Sequence, residues 1–161
     1  MVRFIFVSTC VPQFTVESIT GAGELVRIRG WLRAPQYINI LENHLLPQAR
    51  AHFDQRPWRF VQDRSPIHTS HAVTNWLQQN VNTLPWPSRA ADLNPIENVW
   101  ADMVRMMGDQ LDVASEDELW VRIQQTWNEL QRRPNYFRNL IQSMRRRIQA
   151  VYRLHGFWSK Y

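Results

Sequence analysis

The sequence predicts an α/β fold. Short segments rich in Val, Ile, Phe and Trp, at residues 1 to 9, 24 to 28 and 58 to 62, have the length and composition of strands. Longer segments between and after them carry apolar residues at helical spacing. Ser, Asn and Pro stand where several of those helices would begin.

Residues 1 to 9 read as a strand that Pro12 ends. This apolar run is short for a spanning helix, is interrupted by Arg3 and lacks a clear small-residue cleavage site. A buried strand is therefore preferred to an export signal, and no membrane partner is expected. Phe14 to Ile19 is read as a further short strand, and the Gly21–Gly23 turn leads to a strand over Glu24 to Ile28 ending at Gly30. Pro35 suits the first turn of a helix running toward Arg50, with a break or kink expected at Pro47. Tyr37, Ile38, Leu41, Leu45 and Ala49 form its core face.

Trp58 to Gln62 reads as a strand with Asp63 at its C-terminal end, followed by a helix over Ser70 to Gln79 and a short strand over Val81 to Leu84. Pro85, Pro87 and Pro95 confine the next stretch to turns. Asn94 caps a helix that opens with Pro95 and Glu97 and buries Ile96, Val99, Trp100 and Met103. Ser115 and Glu118 form a capping box before the stripe Leu119, Ile123, Trp127 and Leu130. Pro134 starts a last helix containing Phe137, Leu140, Ile141, Met144 and Ile148, around which Arg145, Arg146 and Arg147 spread charge.

The 161 residues are one domain's worth of chain, without tandem repeat or low-complexity linker. A 44% hydrophobic content and eight Trp argue against wholesale disorder. The net charge of +5 favours a polyanionic partner. Cys10 is the single cysteine, which excludes an intramolecular disulfide framework and a cysteine-rich zinc module.

Two carboxylates stand in settings suited to chemistry. Asp63 lies at a strand end, where a rigid carboxylate projects into an open edge, and Glu97 lies at a helix N-terminus. Hard oxygen ligands of this kind hold Mg2+ or Mn2+ beside a phosphodiester. Judged by charge and spacing alone, the plainer readings stay open: a turn hydrogen bond for Asp63 and a capping role for Glu97. His68 is either a packing residue or one that positions water or phosphate. Asp92 and Asn94 either order the loop around Glu97 or serve as ordinary turn and cap residues. Trp31 is expected to pack rather than to stack on bases.

The surrounding residues narrow these choices. Residues 86 to 100, Trp-Pro-Ser-Arg-Ala-Ala-Asp-Leu-Asn-Pro-Ile-Glu-Asn-Val-Trp, resemble the segment bearing the third catalytic acid of Tc1/mariner transposases, especially the Tc1-like branch. Residues 62 to 70, Gln-Asp-Arg-Ser-Pro-Ile-His-Thr-Ser, resemble the segment bearing the second. The likeness extends to Gly23–Gly30, Tyr37–Pro47, Ile141–Tyr152, Gly156 and Tyr161, so it covers residues 23 to 161, with 1 to 22 atypical.

The resemblance implies an RNase H-like mixed sheet with flanking helices, and Asp63 and Glu97 as catalytic, metal-ligating acids for Mg2+ or Mn2+. It implies DNA as partner, a homo-oligomer as a further one, and a nuclear location in a eukaryote or an intracellular one otherwise. The family reaction is hydrolysis at a transposon end, which frees a 3′-hydroxyl, then attack of that hydroxyl on target DNA at a TA dinucleotide. Arg64, His68, Arg145, Arg146 and Arg147 are the candidates for contact with phosphate.

The chain also departs from the pattern. One residue fewer than usual lies between Asp63 and Glu97. Arg64 stands where Asn is usual, either contacting phosphate or competing with metal, and Ala90-Ala91 replaces Ser-Pro. Pro85 stands before Trp86, where the pattern does not require it. Neither Glu17 nor Glu24 matches the first acid, and the paired helix-turn-helix domains have no counterpart. The expectation is a truncated or domesticated transposase-derived domain, incomplete at the first strand and not autonomously active, with residues 1 to 9 as a substitute strand. A non-catalytic DNA-binding or assembly module is the alternative.

Overall fold

The computed structural model describes residues 3–6, 10–12, 23–87, 90, 93–108 and 113–156. They fall in two compact units, one holding the described residues up to 87 and the other those from 90 onward.

The first unit contains the strands. β1 (Arg3–Phe6), β2 (Cys10–Pro12), β3 (Leu25–Ile28) and β4 (Trp58–Phe60) form two antiparallel pairs. Arg3 lies opposite Ile28 in the β1–β3 pair, and Cys10 lies opposite Phe60 in the β2–β4 pair. Within the strand expected over residues 1 to 9, β1 covers Arg3–Phe6, and β2, which the expectation did not include, follows it with a different partner. On its other side β4 makes a parallel bridge to Thr83: the Phe60 N–H donates to the Asn82 carbonyl at 2.8 Å, and the Leu84 N–H donates to the Phe60 carbonyl at 2.9 Å. The strand expected over 81 to 84 reduces to this bridge, because Pro85 and Pro87 bring no N–H to extend it. The strand expected over Phe14 to Ile19 lies outside the described residues.

The helix expected from Pro35 forms in three parts. α1 (Ala34–Ile40) widens into a π turn over Leu41–Leu45, and α2 (Leu46–Phe53) follows. The Leu46 N–H reaches back five residues to the Leu41 carbonyl, and Pro47 falls in the first turn of α2. A first turn does not need the proline N–H within its own segment, so the helix passes Pro47 by widening instead of ending. α3 (His71–Asn80) completes this unit. Tyr37, Ile40, Leu41, Leu45, Ala49 and Phe53 bury one face of the long helix against Phe60, Val73, Leu77 and Val81. Trp31 differs from expectation: it is 72% exposed, in the loop after Gly30, whose φ of +75° turns the chain before α1.

The second unit is helical among its described residues. α4 (Pro95–Met107) begins at Asn94, whose side chain accepts from the Ile96 N–H. α5 (Glu116–Arg132) begins at Ser115, whose Oγ accepts from the Glu118 N–H at 3.1 Å. The return bond of that capping box goes one residue further out, from the Ala114 N–H to Glu118 Oε2 at 3.0 Å. α6 (Tyr136–Arg153) starts after Asn135, whose left-handed φ of +59° keeps Pro134 in the turn and out of the helix. Val99 and Met103 of α4 and Ile123, Trp127 and Leu130 of α5 are buried. No described helix is long and apolar enough to cross a membrane.

Candidate functional site

Asp63 lies three residues beyond β4, where the ladder has ended and the chain turns. Two groups meet its Oδ1. The Ser65 N–H donates to it at 3.0 Å, closing an Asx turn, and His68 Nδ1 lies 2.5 Å away. An ionised carboxylate only accepts, so this ring nitrogen carries the proton. The turn reading of Asp63 and the metal reading are therefore compatible, because both bonds fall on one oxygen and Oδ2 remains for a ligand. The Asp63 side chain is 58% exposed and that of His68 only 19%, so the carboxylate is reachable while its partner is held.

Partial burial raises the Asp63 carboxyl, but the Ser65 backbone N–H, the His68 charge, the His68 hydrogen bond and the Ser65 side chain together outweigh it and hold the carboxyl below the ordinary aspartate range. The pair therefore adds stability at neutral pH and down through the unfolded value near ~3.9. That contribution is lost only as pH falls through the lower folded value. Urea unfolding of wild type and Asp63→Asn is expected to differ most near neutrality and to converge under strong acid. Midpoints that stay equally far apart down to the most acidic folded condition would contradict the pairing.

Glu97 lies in the second unit, in the first turn of α4. The cap there is Asn94, and among the described residues the Glu97 carboxylate takes no hydrogen bond or ion pair. It is exposed, so the capping reading does not occupy it. Asp92 lies outside the described residues. The donor chemistry fits a hard divalent cation as far as these two acids go: Asp63 offers Oδ2, and Glu97 offers both oxygens.

The other sequence-predicted residues are placed differently from one another. Arg64 is exposed beside Asp63, and Arg145 and Arg146 are exposed on α6. Arg147 is 4% exposed, with its Nε donating to Ser143 Oγ at 2.8 Å. Of the three arginines Arg145 to Arg147, two are therefore on the surface, because the position of Arg147 on the helix faces inward. Glu24 does not stand free: its Oε2 meets His44 Nδ1 at 2.9 Å and Gln48 Nε2 at 3.2 Å. Residues 1 to 12 contain neither Asp nor Glu, so β2 brings no acid beside β4. Among the described residues, no three His, Cys, Asp or Glu side chains are grouped to hold a metal ion.

Sequence reasoning missed one participant. Tyr37, taken there as a core residue, stacks on the His68 ring at 4.4 Å between centroids. Its hydroxyl donates to Gln62 Oε1 at 2.9 Å. Gln62 could be suspected from its place next to Asp63; helical spacing says nothing of what Tyr37 touches.

Residues 25–120 match the family described as DDE superfamily endonuclease. The Tcb1 transposable element transposase of Caenorhabditis briggsae is 37% identical over 145 residues, covering 89% of this chain and 52% of that protein. This chain thus spans about half the length of that relative. A structure of the Mos1 transposase catalytic domain with raltegravir and Mg matches with TM-score 0.76 at 18% identity, over 99% of this chain and 83% of that one. A Mos1 transposase paired-end complex with left transposon end matches with TM-score 0.74 at 18% identity, over 98% of this chain and 55% of that one. The chain belongs to the DDE superfamily endonuclease family, is similar to Tc1/mariner transposases, and has the RNase H-like fold of the mariner catalytic domain.

Proposed function

We propose that this chain is a Tc1-like transposase-derived domain that binds DNA and supplies two metal-ligating carboxylates, Asp63 and Glu97, without completing a cleavage site by itself. The observation that carries the proposal is the pairing at β4. The Asp63 segment leaves Oδ2 open to a ligand, while the strand beside β4, Cys10–Pro12, has no carboxylate to offer. Residues 3–6 and 10–12 take the place of the family's first strand in this reading. They satisfy the backbone groups of β3 and β4 that would otherwise be unpaired. They do so without the first acid.

Mg2+ or Mn2+, when bound, supplies Lewis-acid activation and charge neutralisation beside a phosphodiester. Asp63 would offer Oδ2 to such a cation, and Glu97, in the second unit, would offer its carboxylate. His68 and the Ser65 N–H keep Oδ1 engaged and so orient the donor. Arg64, exposed next to Asp63, would meet a DNA phosphate, and its charge lowers the cost of bringing a polyanion to that acid.

Arg145 and Arg146 give the second unit an exposed cationic pair on α6 that makes no hydrogen bond or ion pair among the described residues. DNA binding is expected to use them, because an exposed cationic pair attracts the phosphate backbone. Fluorescence anisotropy of a Tc1-like terminal-repeat duplex tests this. The double substitution Arg145→Glu and Arg146→Glu is expected to weaken binding about 10-fold and to flatten its salt dependence. Unchanged affinity and slope would remove α6 from the DNA surface. Stable self-association with no DNA affinity in the wild type would favour the assembly role over DNA recognition.

A further inference from the structure

Tyr37 is far from the Asp63 motif in sequence but is built into it in space. Its ring lies against that of His68 with planes 28° apart, and it is 3% exposed. Its hydroxyl donates to Gln62 Oε1, and Gln62 Nε2 in turn donates to the His68 carbonyl at 3.1 Å. His68 is therefore gripped on its ring face and at its own backbone. Burial, with the Asp63 charge adding to it, pushes the Tyr37 hydroxyl well above its ordinary range, so it remains a neutral donor. With its ring stacked on Tyr37 and its Nδ1 on Asp63 Oδ1, the His68 side chain has lost rotamer freedom before any ligand arrives.

We propose that Tyr37, Gln62 and His68 form a clamp that fixes the Asp63 carboxylate with Oδ1 occupied and Oδ2 presented to a divalent cation. The proposal rests on the reading of Asp63 as a metal ligand. Tyr37 and Gln62 are positioning residues: they act through His68 and need not touch metal or DNA. The clamp runs from α1 across the end of β4 to the turn before α3, so it couples the core of the first unit to one exposed carboxylate.

Two readouts on the 161-residue protein test it. The first is the His68 ring proton on Nδ1, followed by NMR without metal. It is expected to be protected in wild type and in Tyr37→Phe, which keeps the stacked ring, and to be broadened by water exchange in Gln62→Leu and Tyr37→Leu. Gln62 is only partly buried, so its substitution tests the clamp even if Tyr37→Leu does not fold. The second readout is Mn2+ affinity, from the free-ion signal in electron paramagnetic resonance. His68→Ala and Gln62→Leu are each expected to weaken binding at least ~10-fold, as loss of an orienting partner does, with His68→Asn restoring most of it through its amide donor.

An Nδ1 proton equally protected in wild type and Gln62→Leu would overturn the clamp. So would equal Mn2+ affinity across these variants when binding still requires Asp63. Mn2+ binding that ignores Asp63 would overturn the presentation of Oδ2 and sink the ligand reading itself. The proton signal would then separately report whether Tyr37 and Gln62 hold His68.

Discussion

Asp63→Ala is expected to weaken Mn2+ binding by more than the roughly 10–100-fold that substitutions of outer-shell partners cost, because it removes a donor oxygen and leaves its orienting groups behind. Glu97→Ala is expected to have an effect of the same order. The two acids differ in how they are held. Asp63 has one oxygen engaged by Ser65 and His68, whereas Glu97 projects from the first turn of α4 with no partner among the described residues. Asp63→Asn therefore keeps the shape of the turn but loses the charge, and should fall close to Asp63→Ala in affinity. Titration of each variant with Mn2+ separates the possibilities. Affinity unchanged by both substitutions would show that neither carboxylate is a ligand.

Leu45→Ala is expected to be the most destabilising of the simple core truncations, at about 2–5 kcal/mol. Leu45 is 0% exposed and closes the π turn between α1 and α2, so its loss opens a cavity where the helix is already off its regular path. Its neighbours in the cluster include Leu41, Ala49 and Phe53 on the same helix and Val73 and Leu77 on α3. Tyr37, which stacks on His68, belongs to this cluster too. Urea unfolding followed by circular dichroism measures the effect. A loss below about 1 kcal/mol would mean that the site collapses freely and that the π turn is not a packing requirement.

Much of this arrangement is written in local patterns. Asn94 with Pro95, and Ser115 with Glu118, mark two helix starts by chemistry that acts within a few residues, and both caps form. The α4 and α5 stripes are legible for the same reason, since Val99, Met103, Ile123, Trp127 and Leu130 recur at the helical period and are buried. What depends on partners distant in sequence is not legible. The pairing of residues 3–6 with β3 and of residues 10–12 with β4 is set by which edges need hydrogen bonds, and no local signal states it.

The π turn is a compromise between Pro47 and a long apolar face, and the sequence shows only the conflict. Arg147 looks like its two neighbours as a letter, and only its direction on α6 makes it a buried cation. At the candidate site, Asp63 and Glu97 are legible from the motifs around them. The Tyr37–Gln62–His68 contacts are not, because stacking between α1 and a turn has no sequence period.

The most direct test of the account is Mg2+- and Mn2+-dependent cleavage of Tc1-like terminal-repeat DNA by the folded 161-residue protein, with Asp63→Ala and Glu97→Ala alongside. The account predicts DNA binding with no cleavage above the level of the two variants. Robust cleavage that both substitutions abolish would contradict it, and would mean that a third carboxylate reaches the Asp63 site by a route other than the strand beside β4.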